Sequence, residues 1–204
     1  MKHMRKLVTL LVLVVLVFAL GSPAYACTTV AVGKDASADG SVLVAHTCDG
    51  WYDHRIQIIE GGTHEEGEMV DIYNDPCTAT KSIPELVGQI PQAPETYTYF
   101  NIAYPFMNEK GVVISEFTWS GNYDIFNPQG MMVIANLQML GLQRAATARE
   151  CVEVMGAIAE QYGYCDGGEC LLVADNSIYI FHAYARFCYK IMVNTKGVNI
   201  VYIK

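Results

Sequence analysis

Cys27 and Asp49 are the two residues whose type and placement suggest covalent chemistry, and Cys27 stands out because of what precedes it. Lys2, Arg5 and Lys6 lead into an unbroken apolar or neutral stretch from Leu7 to Leu20. Gly21-Ser22-Pro23 then breaks any helix, and Ala24-Tyr25-Ala26 places small residues where a signal peptidase reads them. That is the pattern of a removable export signal over residues 1–26. Cleavage after Ala26 leaves Cys27 as the N-terminus, with a thiol and an α-amine on one residue. The reference pKa of an α-amine is about 7.7–8.0, so near neutrality a useful fraction can accept the thiol's proton. The amine can later return that proton to a leaving amine. The chemistry this offers is acyl transfer through a thioester. It needs a carboxylate to orient the amine and donors for a tetrahedral oxyanion. Asp49 is the candidate carboxylate.

The elements that must position these groups start at Cys27 itself. Thr28–Gly33 (TTVAVG) and Ser41–His46 (SVLVAH) read as strands, and Asp39-Gly40 is a hairpin-type turn signal between them. Cys27 is therefore expected at the start of one strand, and Asp49, just past the other, is returned close to it. Residues 60–96 are rich in Gly, Pro and Glu and read as loops with short helical pieces. Tyr97–Pro105 and Val112–Trp119 read as two further strands joined through the turn Asn108-Glu109-Lys110-Gly111. A helix is expected near 148–162: Thr147 and Glu150 form a capping box, Cys151, Val152, Met155, Ile158 and Ala159 make an apolar face, and Gly163 closes it. Leu171–Ala174 and Ile178–His182 read as a last hairpin around Asp175-Asn176-Ser177. Two groups of strands with a long helix between them indicate a layered α+β domain.

The ordered fragments Cys27-Thr28-Thr29, Val32-Gly33-Lys34, Asp39-Gly40-Ser41 and Ala45–Asp49 resemble the opening of the secernin-like cysteine dipeptidases. That family belongs to the N-terminal-nucleophile hydrolase superfamily. The similarity continues through Asn108–Val112, Met131–Leu137, Thr147–Glu150, Val154-Met155, Tyr162–Tyr164, Gly168-Glu169 and Leu172–Asp175, in order. The resemblance implies an αββα sandwich and a cysteine nucleophile freed by processing. It implies hydrolysis of dipeptides or related small amides, without a metal or organic cofactor. By position it makes Cys27 the nucleophile and Asp49 the acidic residue near the amine. Where the family commonly carries Arg-Asn-Glu-Asp this chain has His46-Thr47-Cys48-Asp49, so His46 stands in an arginine's place. Its hydrogen-bonding capacity is kept there, but its charge depends on pH. The similarity runs to about His182. The superfamily's oxyanion asparagine falls beyond it with no counterpart in 183–204, which implies a domain incomplete at its C-terminal side. Backbone groups near Thr118 are, by analogy, a partial oxyanion site.

Composition bounds the remaining readings. The chain has 204 residues, and about 178 of them would follow the leader, enough for one domain over 27–204 with a sizeable core. Loss of the leader's three basic residues would take the formal charge from −8 to about −11. With no basic run there is no support for nucleic-acid binding. Fourteen apolar residues are too few to span a bilayer, which takes about 20, so membrane contact is expected only through the leader before cleavage. Export makes disulfides permissible among the seven cysteines. If Cys27 stays free, the other six leave the pairing open. Neither the histidines at 46, 54 and 64 nor Cys165 and Cys170 have zinc spacing, so no metal is expected. Other readings stay open: lipidation of Cys27 (though Ala24 stands where the lipid signal prefers leucine), a disulfide at Cys27, a structural histidine at 46 and a turn role for Asp49 beside Gly50. The expected product is an exported, extracellular, periplasmic or cell-surface dipeptidase. The alternative is an inactive secreted or lipid-anchored binding protein with the same sandwich.

Overall fold

The computed structural model describes residues 27–50, 52–76, 83–118, 126–184, 187–194 and 197–199, with Lys6. The export signal, Lys6 apart, therefore lies outside the described residues, as do Trp119 and the 120–125 segment after it. In chain order the strands are β1 (Thr28–Val32), β2 (Leu43–Thr47), β3 (Gln57–Ile59), β4 (Gly62–Thr63), β5 (Met69–Tyr73), β6 (Leu86–Pro91), β7 (Glu95–Thr96), β8 (Tyr99–Ile102), β9 (Tyr104–Asn108) and β10 (Val113–Thr118). Helices α1 (Ile134–Arg144) and α2 (Ala148–Tyr162) follow, then β11 (Glu169–Ala174), β12 (Ile178–Tyr184), β13 (Phe187–Asn194) and β14 (Gly197–Asn199). The domain is α+β, as expected. Among the described residues no helix is long and apolar enough to cross a membrane.

Eight strands make one antiparallel sheet in the order β14-β13-β12-β11-β10-β9-β8-β3. Side chains alternate across a strand, so cross-strand partners share a face. Ile114, Val173 and Leu171 fall on one face, together with Phe181, and both helices pack there. The helices approach closely at Gly141, where an added Cβ would lie 2.8 Å from Cys151 Sγ and 2.9 Å from Met155 Cγ. Helix α2 forms as its sequence dictates. The Thr147 hydroxyl accepts from Glu150 N–H, Glu150 accepts from Ala146 N–H, and Gly163 ends the helix at φ 77°. Its buried side includes Cys151, Val152, Met155, Ile158 and Ala159, the expected apolar face.

The β1–β2 hairpin meets the large sheet at β10. Its register runs from Val32↔Leu43 to Thr28↔Thr47. At the turn end, the Asp39 carboxylate accepts both the N–H and the hydroxyl of Ser41 beside Gly40, whose φ is 77°. At the other end the Thr29 hydroxyl hydrogen-bonds that of Ser115 on β10.

Two expectations need correcting, and one helix was not expected. Residues 60–96 contain no helical pieces among the described residues; they hold β4–β7, with β5 paired to β6. The Gly and Pro content suggested loops, but Ile72 and Ile90 are buried and tie this two-stranded ribbon to the core. The strand expected over 97–105 is two strands, β8 and β9, reversing at Ala103, whose φ of 58° lets Ile102 pair with Tyr104. Helix α1 had no local start signal. Its first residues are capped instead by Asn136, which accepts from Val133 N–H, and by Asp166, which accepts from Ile134 N–H across 32 residues.

Candidate active site

Strands β9 and β10 are registered at one pair only, Val113↔Met107. Continuing that register would set Tyr104 opposite Glu116, but the ladder has opened by then and the β10 edge is left without a strand partner there. The hairpin supplies the missing partners. The His46 ring donates to the Glu116 backbone carbonyl, and Thr29 reaches Ser115. Cys27, immediately before β1, comes to the same place. The Cys27 thiol, a ring nitrogen of His46 and a carboxylate oxygen of Glu116 all lie within 4.8 Å of one another.

Each group is perturbed for an identifiable reason. Partial burial raises the Cys27 thiol pKa; the Glu116 and Asp49 charges add to this, while hydrogen bonds from Asp49 N–H and from the Cys48 side chain offset it. A thiol in that setting is protonated at neutral pH and needs a base to become a nucleophile. Burial pushes Cys48 up to about 12, with help from the neighbouring Cys27 and Glu116 charges. His46 is shifted down by burial and so is held neutral, partly opposed by its bond to the Glu116 carbonyl. Because Nδ1–H makes that bond, the lone pair sits on Nε2, which is buried without a hydrogen-bond partner.

Glu116 is itself 2% exposed and Glu169 6% exposed. Their carboxyls hydrogen-bond across β10 and β11, with the Thr118 hydroxyl beside them. Burial and the Glu116 charge push Glu169 up to about 9, so it holds a proton at neutral pH and donates it to Glu116. Two oxygens of the pair, Oε1 of Glu116 and Oε2 of Glu169, are buried without partners. Tyr52 and Tyr104 flank the cluster, their hydroxyls 3.3 Å apart and ring centroids 5.4 Å apart. Burial raises the Tyr104 hydroxyl pKa, with the Glu116 charge contributing.

A cleft of about 350 Å³ opens beside the cluster. His46, Cys48 and His54 supply its polar lining, and Val44, Phe106 and Val113 contribute apolar walls. That volume is at the small end for ligand pockets, which run from about 300 to 1,000 Å³.

Sequence reasoning named Cys27, His46 and Asp49, and the fold brings the first two together. Asp49 is exposed; its N–H reaches the Cys27 sulfur, and its carboxylate acts on that thiol through charge. Sequence reasoning missed Glu116, Glu169 and Cys48. The signal available for the first two was a carboxylate inside an apolar strand, in VISEFT, and one opening an apolar strand, in ECLLVA, since Glu is almost never fully buried unless paired. No metal was expected from the spacing along the chain; folding brings a Cys, a His and a Glu together from distant positions.

Compared with known protein families, residues 26–184 match peptidase family C69. No curated protein matches the chain.

Proposed function

The chain belongs to peptidase family C69, a class of cysteine-type peptide-bond hydrolases, and on that premise we propose that it cleaves dipeptides or related small amides at Cys27. In this reading export through 1–26 frees Cys27 as the N-terminus of an N-terminal-nucleophile hydrolase domain with an αββα sandwich. The observation that carries it is the meeting of Cys27, His46 and Glu116 within 4.8 Å beside a dipeptide-sized cleft.

The raised thiol pKa decides the order of events. A protonated thiol beside the Glu116 charge does not attack spontaneously, so proton removal accompanies attack. The freed α-amine takes the thiol proton as sulfur bonds to the amide carbonyl carbon, and the carbonyl oxygen becomes the oxyanion. The ammonium then gives its proton to the leaving nitrogen, the C–N bond breaks and a thioester remains. Water adds to that thioester with the same amine as base, the C–S bond breaks and the thiol is regenerated. Neutral His46 supplies a second lone pair within reach of the thiol, and the Asp49 carboxylate orients the amine.

The test uses the secreted product and a dipeptide panel. Intact mass is expected to begin at unmodified Cys27, and both Cys27→Ser and Cys27→Ala are expected to reduce turnover to background. Turnover retained in either variant overturns the nucleophile, and a mass carrying acyl chains overturns the processing.

A further inference from the structure

We propose that Cys27, His46, Cys48 and Glu116 form a binding site for one soft divalent cation, zinc by its ligand chemistry, seated on the thiol of the proposed nucleophile. Sulfur, imidazole nitrogen and carboxylate oxygen are the donors zinc takes, at about 2.3, 2.0–2.1 and 2.0–2.2 Å. With those bond lengths a tetrahedral ion holds its donors about 3.3–3.8 Å apart. The three donors here lie within 4.8 Å of one another, so a contraction on the order of 1 Å closes the shell. Mg²⁺ and Ca²⁺, which want oxygen donors, are poorly matched to thiol and imidazole.

Two independent features point to an ion at this place. The first is the imidazole. His46 spends its Nδ1–H on the Glu116 backbone carbonyl and presents a buried, unpartnered Nε2 lone pair, which is how backbone carbonyls orient metal-binding histidines. The second is the carboxylate. Glu116 Oε1 is buried and unpartnered, while Glu169 donates to the same carboxyl group. Buried orphan acceptors on two different elements are costly unless something satisfies them, and one cation would satisfy both.

Cys48 supplies the fourth donor. Continuing the β1–β2 register past Thr28↔Thr47 sets it directly opposite Cys27, and the two side chains hydrogen-bond. Directly opposite residues have Cα atoms about 4.5–5.5 Å apart, close enough for two sulfurs to share one ion. Ion binding displaces the two thiol protons to solvent and leaves both sulfurs as metal thiolates. The Cys27 sulfur is then engaged and cannot attack an amide. Binding requires only the four side chains and stands whether or not the site hydrolyses peptides.

The experiment uses the full chain, metal-free and reduced with a phosphine, titrated first with Co²⁺ as a spectroscopic substitute and then with Zn²⁺ against a chromophoric chelator. The expected result is one ion per chain, with thiolate-to-cobalt charge-transfer absorption that zinc displaces. Cys27→Ala is expected to lose most of that absorption. His46→Gln and Glu116→Gln are expected to weaken zinc binding by about tenfold or more. Cys151→Ala and Cys165→Ala are expected to leave both readouts unchanged. Zinc is expected to raise the Tm of the unmodified chain and not of Cys27→Ala, which keeps the test valid if the Glu116 variant does not fold. Absence of stoichiometric cobalt binding, or an undiminished band and affinity in Cys27→Ala, overturns the site. Dipeptide turnover, silenced by zinc and recovered with chelator, is read separately. Its complete absence would count against the peptidase reading and leave the cobalt result standing.

Discussion

Two buried polar clusters sit on neighbouring strands of one sheet, and they are finished differently. Asn108, at the end of β9, is 1% exposed and uses every hydrogen-bonding position it has. Its Nδ2 donates to the carbonyls of Leu142 and Ala145, both at 2.8 Å, closing the C-terminal end of α1. Its Oδ1 accepts from the N–H groups of Lys110 and Val112 at 3.1 and 3.0 Å, fixing the turn that follows. The Cys27 cluster is as enclosed at its carboxylates, yet Glu116 Oε1, Glu169 Oε2 and His46 Nε2 all lack partners. A satisfied buried network rigidifies a fold, whereas an unsatisfied one costs stability and survives where it serves something else. The first cluster secures a helix and a turn; the second keeps acceptors in reserve beside a thiol.

The largest effect that would sharpen this contrast is in the finished cluster. Asn108→Ala strands two buried carbonyls and two N–H groups, and chemical denaturation should show a loss of about 3 kcal/mol. A loss below 1 kcal/mol would mean the network relaxes freely and the two clusters do not differ as argued.

The unfinished cluster should instead reveal itself through pH. Glu169 is held well above its unfolded value, at about 9. A carboxyl raised in this way contributes stability that is complete below the unfolded pKa and lost as pH rises through the folded one. Unfolding free energy should therefore fall between about pH 4.5 and 9, by no more than about 1.4 kcal/mol per pH unit from this one group. Glu169→Gln should flatten that decline. An equally steep decline in the variant would place the proton elsewhere.

The smallest effect lies in the cleft wall. Ala103 is buried with a φ of 58°, a left-handed conformation that disfavours any side chain. Ala103→Gly should relieve strain and add about 0.5–1 kcal/mol of stability, measured as a higher denaturant midpoint. A lower midpoint would show that the Ala103 methyl packs the cleft more than it strains the reversal.

What the sequence made legible follows one physical line. Local signals were readable. Asp39-Gly40 fixed the hairpin, Thr147 with Glu150 started α2, and Asp175–Ser177 turned β11 into β12, because each is a bond between residues a few positions apart. Cys27 stood out because a basic start, an apolar stretch and small residues precede it in the sequence. Helix α1 was not legible, since its N-cap Val133 carries no hydrogen-bonding side chain and one of its caps comes from Asp166, far along the chain. Glu116 and Glu169 were not either, because a carboxyl becomes a site residue only when another strand of the sheet brings its partner. The same limit hid Asn108: the turn was evident, but its grip on α1 spans 34 and 37 residues.

The Thr29–Ser115 hydroxyl contact closes a loop of 86 residues. Hairpins form in microseconds, so Cys27, His46 and Cys48 can meet as soon as β2 has been made. Ribosomes add about 5–20 residues per second, so Ser115 and Glu116 follow about 3–14 seconds later. For that interval the hairpin carries the Cys27 and Cys48 thiols and the His46 imidazole without the buried Glu116 carboxylate that later joins them. The order of synthesis thus assembles the site in two stages, its sulfur and nitrogen groups first and its buried carboxylate only once β10 has docked.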